Sequence, residues 1–194
     1  MNKILTAFLA GTGLVAAAVV AFAAYPAAST AKHRVLVRAE LDGSQAVPSV
    51  LTTGTGEFTA LVQGSQLVRY ELGYSGLTGG AVDWVSIHFG QPGVNGGFIA
   101  VLCGLNKPPC PPEGVIQGAI SATDIRGPAE QGIPSGDLSA ATVALTSGNS
   151  YIVVRTKKYL PPAGEIRGQI KPAGGKPDTT SNNSFKPKPL RGSA

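Results

Sequence analysis

Trp84, Ser86 and His88 stand at alternate positions in a run rich in β-forming residues. That spacing places their side chains on one face of a strand. An imidazole beside a hydroxyl suggests a metal ligand, or a base next to a nucleophile. The rest of the chain supports neither well. It holds two histidines, two cysteines and one methionine, the initiator. A copper–zinc dismutase centre needs several histidines and an aspartate, and a blue-copper centre needs a second histidine and a methionine ligand. One imidazole with one hydroxyl does not make a zinc or copper first shell, so no metal and no cofactor are expected. His33, between Lys32 and Arg34, reads as an exposed residue at a domain edge. No Gly-x-Ser-x-Gly elbow is present, and Tyr74-Ser75-Gly76 reads as a turn. Phosphate loops, calcium loops and basic patches interleaved with aromatics are also missing from the sequence.

Glu165 and Arg167 form a second candidate. They lie two residues apart on one strand face, with Ile166 and Ile170 on the other. They could contact a ligand as an ion pair, together with Arg155 and Glu71. Alternatively they form a charge ladder that fixes strand register, which is worth little if exposed. Trp84, Ser86, His88, Arg155, Glu165 and Arg167 are therefore the candidate binding residues, and no catalytic residue is assigned.

These side chains need rigid elements to hold them, and the composition says which kind. Of 194 residues, 26 are Gly and 15 are Pro, while aromatics make up only 6%. Such a load weakens helix interiors and favours many short strands joined by turns. Apolar and polar residues alternate around Val35–Leu41, Phe58–Val62 and Val68–Tyr74, with Gly64-Ser65 as a hairpin turn between the last two. Residues 82–89, 98–103, 115–121, 151–156 and 165–170 complete about eight strands. A loop with Pro-Gly and Asn-Gly steps joins 82–89 to 98–103. One segment changes period: Leu138, Ala141, Thr142 and Leu145 follow helical spacing. Ser135 is the expected cap, Asp137 favours the positive helix start, and Gly148 sits where the helix would stop. The expected fold is all-β, a Greek-key antiparallel β-sandwich or partly closed barrel with one short helix.

The ends carry an address. Lys3 precedes an uncharged stretch, residues 4–24, rich in Ala, Val and Leu. A basic start, an apolar run and a small-residue exit describe a secretory signal peptide, with Ala21-Phe22-Ala23 as one cleavage pattern and Ser29-Thr30-Ala31 as a second. The run is also long enough to remain as an N-terminal anchor. Residues 25–33 read as a linker. Residues 34–171 form the domain, and residues 172–194 form a basic tail too poor in apolar residues to order itself. Cys103 and Cys110 bracket a turn-forming stretch in an exported chain, so a disulfide is expected. The net charge is +5. It comes mainly from the tail, which leaves the body neutral and argues against nucleic-acid binding.

Four stretches resemble one family. They are Ala39-Glu40-Leu41-Asp42-Gly43-Ser44-Gln45-Ala46-Val47-Pro48, Leu72-Gly73-Tyr74-Ser75-Gly76-Leu77, Ser86-Ile87-His88-Phe89-Gly90 with Asn95-Gly96-Gly97, and Gly164-Glu165-Ile166-Arg167-Gly168-Gln169-Ile170. In this order they resemble the CHRD domain, named after chordin and found in exported bacterial proteins. The resemblance implies an immunoglobulin-like extracellular β domain and no enzyme. The family often carries His-x-His-x-Gly and Val-His-Thr. Here Ser86 stands in place of the first histidine and Arg155 in place of the third, so a metal site implied by that pattern is incomplete. The expected function is an exported, non-enzymatic binding or structural module, periplasmic or extracellular. Its partner is expected to be a protein or an envelope polymer, with no membrane contact beyond an N-terminal anchor. The competing reading is a metal-dependent or redox enzyme centred on His88.

Overall fold

In the strand Arg34–Asp42 (β1), Val37, Ala39 and Leu41 are buried while Arg38 and Glu40 are exposed, as period-two patterning requires. The same physics sets Thr55–Gln63 (β2), Leu67–Ser75 (β3), Val82–Phe89 (β4), Gly97–Gly104 (β5), Gly114–Ile120 (β6), Ser150–Thr156 (β7) and Ile166–Pro172 (β8). A computed structural model describes residues 34–174. The expected signal peptide or anchor at 1–24, the expected linker at 25–33 and the expected tail beyond 174 lie outside the described residues.

All eight strands join one antiparallel sheet in the order β5-β4-β7-β8-β1-β2-β3-β6. A single core cluster draws side chains from all of them, including Phe58, Leu72, Ile87, Ile99, Ile120, Ile152 and Ile170. One face of one sheet can share one core only if the sheet curls, so the fold is barrel-like with β5 and β6 as its edges. The helix Leu138–Thr146 (α1) adds Leu138, Ala141, Ala144 and Leu145 to that core. Its cap is Asp137, which accepts from the Ala140 N–H at 2.9 Å, rather than Ser135. Ser135 instead donates to the Ile125 carbonyl. Short 3-10 turns at Ala122–Asp124 and Ala129–Gln131 precede the helix.

The join between β1 and β8 is unusual. Val37, Arg38 and Asp42 pair with Pro172, Lys171 and Arg167, but the middle is bridged by a side chain. The Gln45 carboxamide donates from Nε2 to the Glu40 carbonyl at 2.8 Å and accepts from the Gln169 N–H at 3.3 Å. It acts as an inserted peptide group. Gly168 permits the approach, since a Cβ there would lie 2.5 Å from the Glu40 carbonyl oxygen. β8 also runs beyond its expected end: Pro172 pairs with Val37, and the Ala173 N–H donates to Leu36 at 2.8 Å. Cys103 and Cys110 form the expected disulfide. Closing a loop of this size contributes roughly 2.5 kcal/mol on the chain-entropy model.

Alternation breaks down at the centre of the sheet. Every residue of β7 is buried, as are residues 166–170 of β8. These strands are covered on both sides, although the outer side carries polar residues. Segments 44–49 and 91–96 lie over that outer face: the Asn95 amide donates to the Val47 carbonyl, and Arg167 donates to the carbonyls of Gln91 and Val94.

Replacing Gln45 with Leu leaves the Glu40 carbonyl and the Gln169 N–H without their bridge. Urea unfolding should show a loss of about 1–2 kcal/mol with an unchanged m-value. An unchanged midpoint would mean that the bridge contributes nothing.

Candidate functional site

β4 is irregular, with register shifts against β5 between Val85 and Ser86 and between Ile87 and His88. Against β7 it shifts between Val82 and Trp84. Bulges of this kind re-aim side chains. Here Trp84, Ser86 and His88 share the outer face with Tyr151 and Arg155 of β7, as their spacing requires. Trp84 pairs with Arg155 and His88 with Tyr151.

Their polar atoms form a closed circuit. Arg155 Nη1 donates to Ser86 Oγ at 2.7 Å, and Arg155 Nη2 lies 3.3 Å from His88 Nε2. Ser86 Oγ is 3.0 Å from the same nitrogen. His88 Nδ1 is 3.1 Å from the Gly96 carbonyl, an acceptor. That contact assigns the proton to Nδ1 and leaves Nε2 as the acceptor for both donors. The ring stacks on Tyr151 at 5.1 Å and meets Phe98 edge-on at 5.0 Å. Arg155 also lies 5.2 Å from the Trp84 ring centroid. Two buried N–H groups, Arg155 Nε and Trp84 Nε1, have no partner.

The circuit is sealed. Ser86 is fully buried, Arg155 is 3% exposed and His88 is 7% exposed. Burial, followed by the Arg155 charge, pushes the His88 pKa down to about 4, against a smaller opposing effect of the Gly96 carbonyl. Burial likewise lowers Arg155 to about 10, so it remains a cation at neutral pH. A metal at Nε2 would have to displace a guanidinium. A base with a pKa near 4 is also too weak to activate a buried hydroxyl whose lone pair already accepts from Arg155. Among the described residues, no group of three or more His, Cys, Asp or Glu side chains comes together to hold a metal.

Arg167 joins the same face from β8 but not the circuit. It is 1% exposed, and its guanidinium lies 3.6 Å over the Tyr151 ring. Tyr151 thus separates His88 from Arg167. Among the described residues, Glu165 and Arg167 form no ion pair with each other, and neither meets Glu71. Glu165 precedes β8 and is fully buried in a cradle of donors. Thr52 Oγ1 donates at 2.6 Å, the Thr78 N–H at 2.5 Å, the Gly79 N–H at 2.9 Å and Thr156 Oγ1 at 2.7 Å. Burial alone would raise its pKa. The donors, Thr52 first, outweigh burial and hold the carboxyl below the usual carboxylate range. Gly79 is required here, because a Cβ would lie 2.6 Å from Glu165 Oε2. Glu71 instead accepts from Gln117 on the neighbouring strand β6.

Sequence reasoning missed Tyr151, Gln169 and the Glu165 donors. Tyr151 was within reach, since it lies four positions from Arg155 on the same face. Thr52 and Thr78 sit in loops far from Glu165 along the chain, where no periodicity links them.

A family model described as the CHRD domain matches residues 37–170. No curated protein and no solved structure matches the chain.

Two outcomes follow from this geometry. His88 is neutral when folded but takes up a proton near pH 6.5 when unfolded. Its contribution is therefore full above that pH and fades on acidification toward 4. Unfolding free energy should fall by about 2 kcal/mol between pH 7 and 5, and His88→Gln should flatten that slope; an equal slope in both proteins would contradict the assignment. Glu165→Gln turns an amide N–H₂ toward fixed donors and should cost about 2 kcal/mol or more at pH 7, whereas wild-type stability would show the cradle to be idle.

Proposed function

This chain belongs to the CHRD domain family, and from that premise we propose that it is an exported, non-enzymatic module with a binding or structural role outside the cytoplasm. The carrying observation is the sealing of its most reactive constellation. Ser86 and His88 are at hydrogen-bonding distance, yet both are buried and both are occupied by Arg155. A catalytic pair needs access to substrate and a base near the working pH; this pair has neither.

Export is supported by Lys3 followed by the uncharged stretch at 4–24. The disulfide is stable in an oxidising compartment. Among the described residues no helix is long and apolar enough to cross a membrane. The partner is a protein or an envelope polymer. The body, residues 34–171, is neutral overall, which argues against nucleic acid as the partner.

Elemental analysis of the purified protein, alongside His88→Ala, tests the non-enzymatic reading. Both should be free of stoichiometric metal. Stoichiometric metal that is lost in the variant would overturn it in favour of chemistry centred on His88. For export, the secreted fraction should contain a mature chain that starts after Ala23 or after Ala31; retention of the full chain in the cytoplasm would contradict the address.

A further inference from the structure

A cleft of about 290 Å³ opens between the 44–49 segment and the Pro92-Gly93 turn, with Arg167 and Gln169 in its wall. Its hydrogen-bonding groups are unevenly used. Arg167 makes no ion pair among the described residues. Its Nη2 donates to Gln91 and Val94 at 3.2 and 2.9 Å, but Nη1 has only a 3.5 Å contact with Asn95 Oδ1. A guanidinium carries five N–H donors, so this buried cation keeps spare donor capacity. Asp42 lies opposite in register, yet its carboxylate is taken by Ser44 Oγ and by Gln45.

The neutral groups show the reverse. Gln169 uses both its N–H bonds on the carbonyls of Gly90 and Gly148, at 3.0 and 2.9 Å, and no donor reaches its Oε1. The Ser44 and Ser49 hydroxyls donate to Asp42 and to the Ser44 carbonyl, which leaves their lone pairs available. The cleft therefore has one spare cationic donor and several spare neutral acceptors.

The complement is a molecule with one carboxylate and several hydroxyl donors. We propose that this cleft binds an acidic sugar unit of the hexuronate type, its carboxylate against Arg167 and its hydroxyls donating to Gln169, Ser44 and Ser49. The inference rests on the binding-module reading and names its ligand class. The volume lies at the small end of ligand sites, roughly 300–1,000 Å³, and suits a single residue of a polymer. A planar guanidinium with donors to spare matches a carboxylate, whereas a dianionic phosphate calls for more positive charge. A peptide carboxy terminus fits less well, since Pro48 and Pro92 have no N–H to offer its carbonyls.

The test is an amide-shift NMR titration of the mature exported chain with glucuronate, glucose, acetate and a short peptide with a free carboxy terminus. Glucuronate should bind saturably and shift the amides of residues 44–47, Ser49 and Gly93, and glucose should not. Arg167→Lys should weaken binding about tenfold or more. Ser49→Phe fills the cleft without touching an Arg167 bond and should abolish binding while the rest of the spectrum stays folded. No saturable response, equal binding of acetate, tighter binding of the peptide, or full binding by Ser49→Phe would each overturn the proposal. Conversion of glucuronate to a product would instead overturn the non-enzymatic reading and leave the site in place.

Discussion

The guanidinium of Arg155, 3% exposed and without a carboxylate partner, is the constraint around which the rest of this domain is arranged. A buried cation is costly unless its donors are satisfied and its field is used. Here Ser86 and His88 accept from it, and Trp84 offers a ring face. That arrangement requires His88 to stay neutral, which burial and, after it, the same cation enforce. The Gly96 carbonyl then selects the tautomer. A sealed, mutually dependent set of this kind fixes geometry; it does not turn over substrate.

The same logic recurs with opposite charge at Glu165, whose carboxylate is held by neutral donors from two loops and β7 instead of by a cation. Arg167 is again held by carbonyls and an aromatic ring. The domain thus keeps its buried charges apart and binds each to neutral partners, which tie the loops to the sheet. Arg167 differs from the other two because its surroundings leave capacity unused at a cleft.

Much of the architecture was legible from period-two patterning. β4 runs over Val82–Phe89 as expected, and the other strands differ by one to three residues at their ends. The helix was legible from Leu138, Ala141 and Leu145, while its cap moved to Asp137 because Ser135 is drawn to the Ile125 carbonyl. The grouping of Trp84, Ser86, His88 and Arg155 followed from alternation plus strand pairing. Their burial did not, because a polar side chain in an alternating strand reads as facing water. The cover comes from loops whose positions depend on tertiary contacts such as Asn95 with Val47. The separation of Glu165 from Arg167 was not legible for the same reason: nearness along a strand carries no information about the loop donors that hold Glu165.

The most direct measurement is a site-resolved titration of the His88 imidazole by nitrogen NMR. The ring should be protonated at Nδ1, with Nε2 unprotonated down to pH 5 and a midpoint near 4 while the fold persists. A midpoint near 6.5, or a proton on Nε2 at neutral pH, would contradict it.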